Sequence, residues 1–241
     1  MKTAIVTGSS RGMGAAIAKK LADDGFAVVV NYAGSKESAD NVVKEIESNG
    51  GKAITVQANV SNIEDIKKLF DEAEANFGRI DVLVNNAGKA IRKSLAEFSE
   101  AEYDQVMNIN LKGVFLGLSQ AAKRLENNGH VVNISASFQG APIPGYGPYA
   151  ASKMAIEKLT EVAAKELGER GITVNAVRPG PTDTNLFNKG KDKNAKEFFA
   201  SQAALGRLGK PEDIANVVSF LVSDRGSWVT GQAVGANGGY W

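Results

Sequence analysis

The chain of 241 residues has no cysteine and a single histidine. The first absence excludes disulfides, a thiolate nucleophile and any cysteine-held metal. The second leaves a zinc site or a Ser-His-Asp relay resting on His130 alone. That residue opens the apolar run HVVNIS, so a core or strand-edge role is expected and no metal is. No apolar run approaches the ~18 residues that cross a bilayer. The opening MKTAIVTG lacks the roughly 7–15 apolar residues of a secretory leader, so a cytoplasmic location is expected. Charge of one sign is also missing: 28 Lys and Arg face 27 Asp and Glu, a net charge of +1. That balance argues against a surface dedicated to nucleic acid or to an anionic membrane.

What is present is a regular alternation. Short runs rich in Val and Ile recur at 3–7, 27–31, 53–57, 81–85, 130–135 and 172–177, and read as strands buried on both faces. Between them lie stretches with helical periodicity. In 63–77, Ile63, Ile66, Leu69, Phe70, Ala73 and Phe77 share one stripe. Strands alternating with helices predict right-handed crossovers and a doubly wound, Rossmann-type α/β sheet with helices on both faces. No linker or composition shift divides the chain, so residues 1–241 are read as one domain. The lysine-rich stretch 185–205 breaks the alternation and is expected to be an insertion that covers substrate.

The first strand runs into TGSSRGMG (7–14), which opens an amphipathic segment. Glycines there let the backbone turn tightly and approach a pyrophosphate, and the helix start offers free N–H groups at a positive dipole end. Gly8, Ser10, Arg11, Gly12, Met13 and Gly14 are the candidate loop contacts. A site for the non-phosphorylated dinucleotide usually carries Asp or Glu about 20 residues on. Here VVVNYAGSKE places Asn31 at that point, followed by Ala33 and Ser35. With Arg11 in the loop and no carboxylate to repel a 2′-phosphate, the reading is NADP(H).

The stretch NISASFQGAPIPGYGPYAASK (133–153) holds three serines, two tyrosines and a lysine. Pro148 suits the first turn of a helix, and Tyr149 and Lys153, four apart, share a face of that helix. Tyr146 lies before the proline and is read as pocket wall. A phenol titrates near 10, and a neighbouring ammonium would favour its ionised form. Tyr149 with Lys153 is therefore the candidate proton-transfer pair.

With the glycine loop, NNAG (85–88), YAASK (149–153) and RPGPTDT (178–184) in this order, the chain resembles the short-chain dehydrogenase/reductase family over essentially its whole length. It looks closest to the 3-oxoacyl-carrier-protein reductase and hydroxynaphthalene reductase-like members. The resemblance implies an adenine pocket at Asn59 and Val60, where the family usually has Asp in place of Asn59. It further implies cofactor contacts from Asn86, Ala87 and Gly88, and a nicotinamide end at Pro179, Gly180, Thr182 and Thr184. Asn110, in MNINLKGVF, would hold a water that links Lys153 to solvent. The family's serine stands about 13 residues before the tyrosine, and that position is Ala136. Ser135 and Ser137 flank it. Ser137 is preferred because SFQG matches the family's Ser-x-x-Gly, and a one-residue bulge at the strand end would place it.

Two functions stay open at this point. One is an NADPH-dependent carbonyl reductase or alcohol dehydrogenase, with Tyr149 as proton donor or acceptor. The other is an NADP(H)-binding regulatory or scaffold protein with little turnover, suggested by Ala136. Ketoesters on carrier protein, polycyclic ketones and small prochiral ketones all suit the first. The lysines and arginine at 89, 92, 93, 189, 191 and 193 would favour a carrier. The resemblance also implies a homotetramer, and the aromatic pair Tyr240-Trp241, poorly suited to water, is expected to dock on a neighbouring subunit near its pocket.

Overall fold

The computed structural model describes residues 1–137 and 143–240. Seven parallel strands form one sheet among the described residues, in the order β3-β2-β1-β4-β5-β6-β7. They are β1 (Thr3–Val6), β2 (Ala27–Tyr32), β3 (Lys52–Gln57), β4 (Val82–Asn85), β5 (His130–Ile134), β6 (Thr173–Pro179) and β7 (Ala233–Ala236). The crossovers are α1 (Gly12–Asp23), α2 (Lys36–Ser48), α3 (Ile63–Phe77), α4 (Glu100–Met107), α5 (Gly113–Arg124), α6 (Gly147–Leu167) and α9 (Pro211–Leu221), with two short helices α7 (Asn185–Asn188) and α8 (Lys193–Ser201) in the 185–205 segment. The strand order reverses between β1 and β4, and a doubly wound sheet opens its ligand crevice at such a switch point.

Alternation along the strands divides the core in two. Val28 and Val30 pack with Ile17, Leu21, Ile214 and Val218 under α1 and α9. Val29, between them, joins Phe70, Leu69, Ile156 and Leu83 under α3, α5 and α6. Each face buries side chains worth ~1.5–3 kcal/mol apiece. Six strands coincide with the apolar runs. The seventh, AVGA, is too short and glycine-rich to show a period and is set by pairing with β6 through Val177↔Val234 and Pro179↔Ala236.

His130 starts β5, buried, with Nδ1 2.8 Å from Thr173 Oγ1; burial lowers its pKa. Tyr240, expected on a neighbouring subunit, is 6% exposed within its own chain. Trp241 lies outside the described residues, as does 138–142, which includes Gly140 of the Ser-x-x-Gly match. No helix among the described residues is long and apolar enough to cross a membrane.

Candidate active site

The site lies where β1, β2, β4, β5 and β6 end. Its first half is the glycine loop between β1 and α1. Gly8 and Gly12 have φ of 61° and 59°, the left-handed region that side chains resist. A Cβ on Gly14 would sit 2.5 Å from Gly8 O and from Asn86 Nδ2. A Cβ on Gly8 would sit 2.9 Å from Ala87 Cα. NNAG therefore lies directly on the loop, and Asn86 Nδ2 ties it down by donating to Thr7 O (2.8 Å) and Gly8 O (3.0 Å). At the start of α1 no side chain accepts from the free N–H groups, among the described residues, and no acid stands in the first turn. By contrast α2, α3, α4 and α8 are closed by Ser35, Asn62, Ser99 and Asp192. A tight loop leading into an uncapped helix fits the phosphates of a dinucleotide.

Asn31 does not face outward from this loop. It is 1% exposed. Its Oδ1 accepts from Gly8 N (2.9 Å), and its Nδ2 donates to Val56 O (3.2 Å) and Ala58 O (3.0 Å). The side chain fastens the loop to β2 and β3. Arg11, Ala33 and Ser35 are exposed beside it, and Ser10 and Met13 are half-buried. Ser35 Oγ accepts from Ser38 N as the cap of α2. Asn59 is exposed, its Oδ1 taking both N–H and O–H of Ser61. Val60 is buried against Gly113, where a Cβ would stand 2.9 Å from Val60 Cγ2.

The second half comes from β5, α6 and the turn joining α4 to α5. Lys153 is 3% exposed, and its Nζ donates to Ile134 O at 2.6 Å. Burial lowers its pKa to about 8. The ammonium lies 5.8 Å from the ring centre of Tyr149. Tyr149 differs from expectation: burial of the phenol, followed by Tyr146, raises its pKa to about 12. Taking the anionic form of the phenol out of water is the leading cause. The protonated phenol is thus the form present at neutral pH. Tyr146 packs 6.0 Å from Tyr149, ring to ring.

Asn110 is fully buried in a widened, π-helical turn, Asn108–Lys112, that joins α4 to α5. Such one-turn widenings recur at functional sites. Asn110 accepts from Lys89 N (2.8 Å) and donates to Lys89 O (3.0 Å) and Ser152 Oγ (3.0 Å). A Cβ on Gly88 would be 3.5 Å from Asn110 Oδ1 and 3.6 Å from Lys153 Nζ. Gly88, Asn110 and Lys153 therefore meet at one point.

The serines separate. Ser135 Oγ donates in a shared bond to Glu157 Oε1 (2.7 Å) and Lys153 O (3.1 Å), and the residue is 2% exposed. Ser137 is half-buried; its Oγ donates to Arg178 O (3.2 Å) and accepts from Asn237 Nδ2 (3.1 Å). The expected bulge is not there. Ser135 N donates to Val177 O and Ser137 N to Pro179 O, an unbroken two-residue ladder. Ala136 keeps the position 13 before Tyr149, and its side chain alternates to the face opposite both serines.

At the end of β6, a Cβ on Gly180 would meet Asn237 at 2.9 Å. Thr182 is buried and donates to Gly180 O. Thr184 caps α7, and its methyl would stand 3.7 Å from a Cβ on Gly12, so the 185–205 segment begins against the glycine loop. Sequence reasoning missed Glu157, which also takes a two-pronged bond from Arg178 (2.8 and 2.7 Å). A glutamate four residues after Lys153 on α6 was the one available sign, and a solvated helix face gives the same pattern.

A family model described as enoyl-(acyl carrier protein) reductase matches residues 8–241. A 3-oxoacyl-[acyl-carrier-protein] reductase FabG of Staphylococcus aureus is 43% identical over 242 residues, covering 100% of this chain and 98% of the relative. A dehydrogenase/reductase from Sinorhizobium meliloti is 40% identical and superposes with a TM-score of 0.95, over 99% of this chain and 94% of its own. A short chain dehydrogenase of Burkholderia cenocepacia, solved with NADP, is 38% identical with a TM-score of 0.94, over 99% and 97%. The chain belongs to the short-chain dehydrogenase/reductase family. It is an oxidoreductase of the kind that acts on keto and hydroxyl groups.

Proposed function

We propose that this protein is an NADPH-dependent carbonyl reductase. The observation that carries the reading is a half-buried Tyr149 paired with a buried Lys153, set beside an uncapped glycine loop at the sheet's switch point. The Burkholderia cenocepacia relative is solved with NADP, and Arg11 stands exposed beside the loop with no acid at position 31. Gly8, Gly12, Gly14, Asn86, Ala87 and Gly88 would hold the phosphates and the ring plane, with Pro179, Gly180, Thr182 and Thr184 at the nicotinamide end. The cofactor, when bound, supplies hydride to the carbonyl carbon.

The protein's own work is on the proton. Tyr149, neutral below its raised pKa, donates its phenolic proton to the carbonyl oxygen as charge develops there. Lys153, charged at neutral pH, stabilises the phenolate that remains. Asn110 fixes Lys89 and Gly88 against Lys153 and would hold a water that links the ammonium to solvent for reprotonation. Ser137 orients the carbonyl oxygen, its 3.2 Å bond to Arg178 O being weak enough for the hydroxyl to turn. In the reverse direction the same groups accept the alcohol's proton.

Initial rates with NADPH and NADH on a panel of ketones and β-ketoesters test this. NADPH-led turnover is expected, and it is lost in Tyr149→Phe. A protein that binds NADPH but turns over no carbonyl would instead be a cofactor-binding regulator or scaffold.

A further inference from the structure

A turn near the end of the chain reaches into the active site. Residues 237–240 follow β7, with Gly238 and Gly239 at φ of 62° and 76°, in the left-handed region. Three neighbours hold this turn in place. Gly180, at the end of β6, leaves no room for a Cβ, which would lie 2.9 Å from Asn237 Cα, Cβ and O. Leu205 N donates to Gly238 O at 3.0 Å. A Cβ on Gly239 would lie 2.7 Å from Ala204 Cβ, so the turn also rests on the end of the 185–205 segment. Tyr240, which closes the turn, is buried.

Asn237 is half-buried at the head of this turn, and both polar atoms of its amide are engaged. Oδ1 accepts from Gly239 N at 3.0 Å, while Nδ2 donates to Tyr240 O at 2.8 Å and to Ser137 Oγ at 3.1 Å. These partners fix the orientation of the amide. A flipped amide would set Oδ1 against the carbonyl of Tyr240 and Nδ2 against the N–H of Gly239. Toward Ser137 the amide can therefore only donate. A serine hydroxyl has one proton to give and two lone pairs to receive with. Asn237 occupies a lone pair and leaves the proton directed at Arg178 O, 3.2 Å away.

We propose that Asn237 is the positioning residue for Ser137. Its amide fixes Oγ from one side, and because it cannot accept, the hydroxyl proton stays available to swing from Arg178 O to the carbonyl oxygen of the substrate. A bond donated to a hydroxyl also polarises it, which makes its O–H the better donor. The proposal rests on the carbonyl-reductase reading and on the orienting role of Ser137 within it. It gives a turn 100 residues further along the chain a part in the reaction.

The test is a cycle of four proteins: wild type, Asn237→Ser, Ser137→Ala and the double variant. They are compared by kcat/KM with NADPH on the ketone or β-ketoester of the panel that the wild type reduces fastest. A serine at 237 still accepts from Gly239 N, as hydroxyls do in such turns, but lacks the second polar atom that reaches Ser137. Asn237→Ser is expected to lower kcat/KM about fivefold, with the KM for NADPH little changed. In the Ser137→Ala background the same substitution should have almost no effect, since the group it positions is gone. An equal loss in both backgrounds would mean that Asn237 only holds the turn, and would overturn the proposal. An undiminished rate in Asn237→Ser would overturn it too. If the wild type reduces no carbonyl, the reductase reading fails instead, and unfolding of the same four proteins in denaturant decides the link. A midpoint shift for Asn237→Ser that shrinks without the Ser137 hydroxyl supports the link, and equal shifts in both backgrounds overturn it.

Discussion

The two halves of the site are built from different materials. Around β1, β2 and β4 the working surface is backbone: glycines in left-handed turns, N–H groups left open at the start of α1, and Asn31 and Asn86 spending their amides on main-chain atoms. Around β5 and α6 the working surface is side chains with displaced proton affinities, Lys153 and Tyr149, in a setting held by Glu157, Asn110 and Arg178. A phosphate binder needs directed donors and room, which glycine and a helix end supply at low entropy cost once the loop is fixed. A proton-transfer site needs burial, which only packed side chains provide. Damage to the first half should therefore appear as lost binding and stability, and damage to the second as lost rate.

The sharpest break is Tyr149→Phe. It should lower carbonyl reduction by about 10²–10⁴-fold, while NADPH binding, followed by fluorescence titration, stays within a small factor of the wild type. Gly14→Ala is the counterpart in the other half. Its Cβ meets Gly8 O and Asn86 Nδ2 at 2.5 Å, so the loop backbone must move. A loss of about 1–3 kcal/mol in unfolding free energy is expected, with a much smaller gain in melting temperature on adding NADPH. Retained NADPH stabilisation in this variant would erase the distinction between the halves.

Asn31→Asp tests the same half from beneath. A carboxylate there would face the carbonyls of Val56 and Ala58 and lose two donors. About 1–3 kcal/mol of stability should go, read by denaturant unfolding. Ser137→Ala should lower kcat/KM by about tenfold, the worth of one hydrogen bond in a transition state. Ser135→Ala, by contrast, should cost stability and leave the rate nearer to that of the wild type. Equal rate effects would sink the assignment of different roles to the two serines.

The smallest effect is graded with pH. Lys153 has its folded pKa lowered to about 8 from 10.5. Between these values the unfolded chain holds the proton that the folded chain has released, so stability should rise as pH increases from about 8 toward 10.5. Tyr149 acts oppositely: its folded pKa, raised to about 12 from 10.0, makes stability fall between those values. Reduction should decline above pH 8 as the ammonium is lost. Lys153→Met should abolish the stability rise and leave a low rate without that inflection.

Much of this was legible from local pattern. Strand alternation, the glycine loop and the four-residue spacing of Tyr149 and Lys153 depend on neighbouring dihedrals and helical pitch, which a sequence states directly. Asn31 was placed at the right turn, but its bonds could not be read there, because its partners, Gly8, Val56 and Ala58, come from two other segments. The direction of the Tyr149 shift was likewise missed. Spacing shows that an ammonium is near, but not that the phenol is desolvated.

The sequence by itself determined the order of strands and helices, the place of the phosphate loop and the tyrosine–lysine pair, since each rests on contacts within a few residues. Only the tertiary structure decided which serine is locked to Glu157, that the backbone of Ser135 to Ser137 beyond β5 keeps pairing with β6 without a bulge, and that β7 exists. Those outcomes depend on side chains brought together across tens of residues, where packing and desolvation, not local geometry, set the balance.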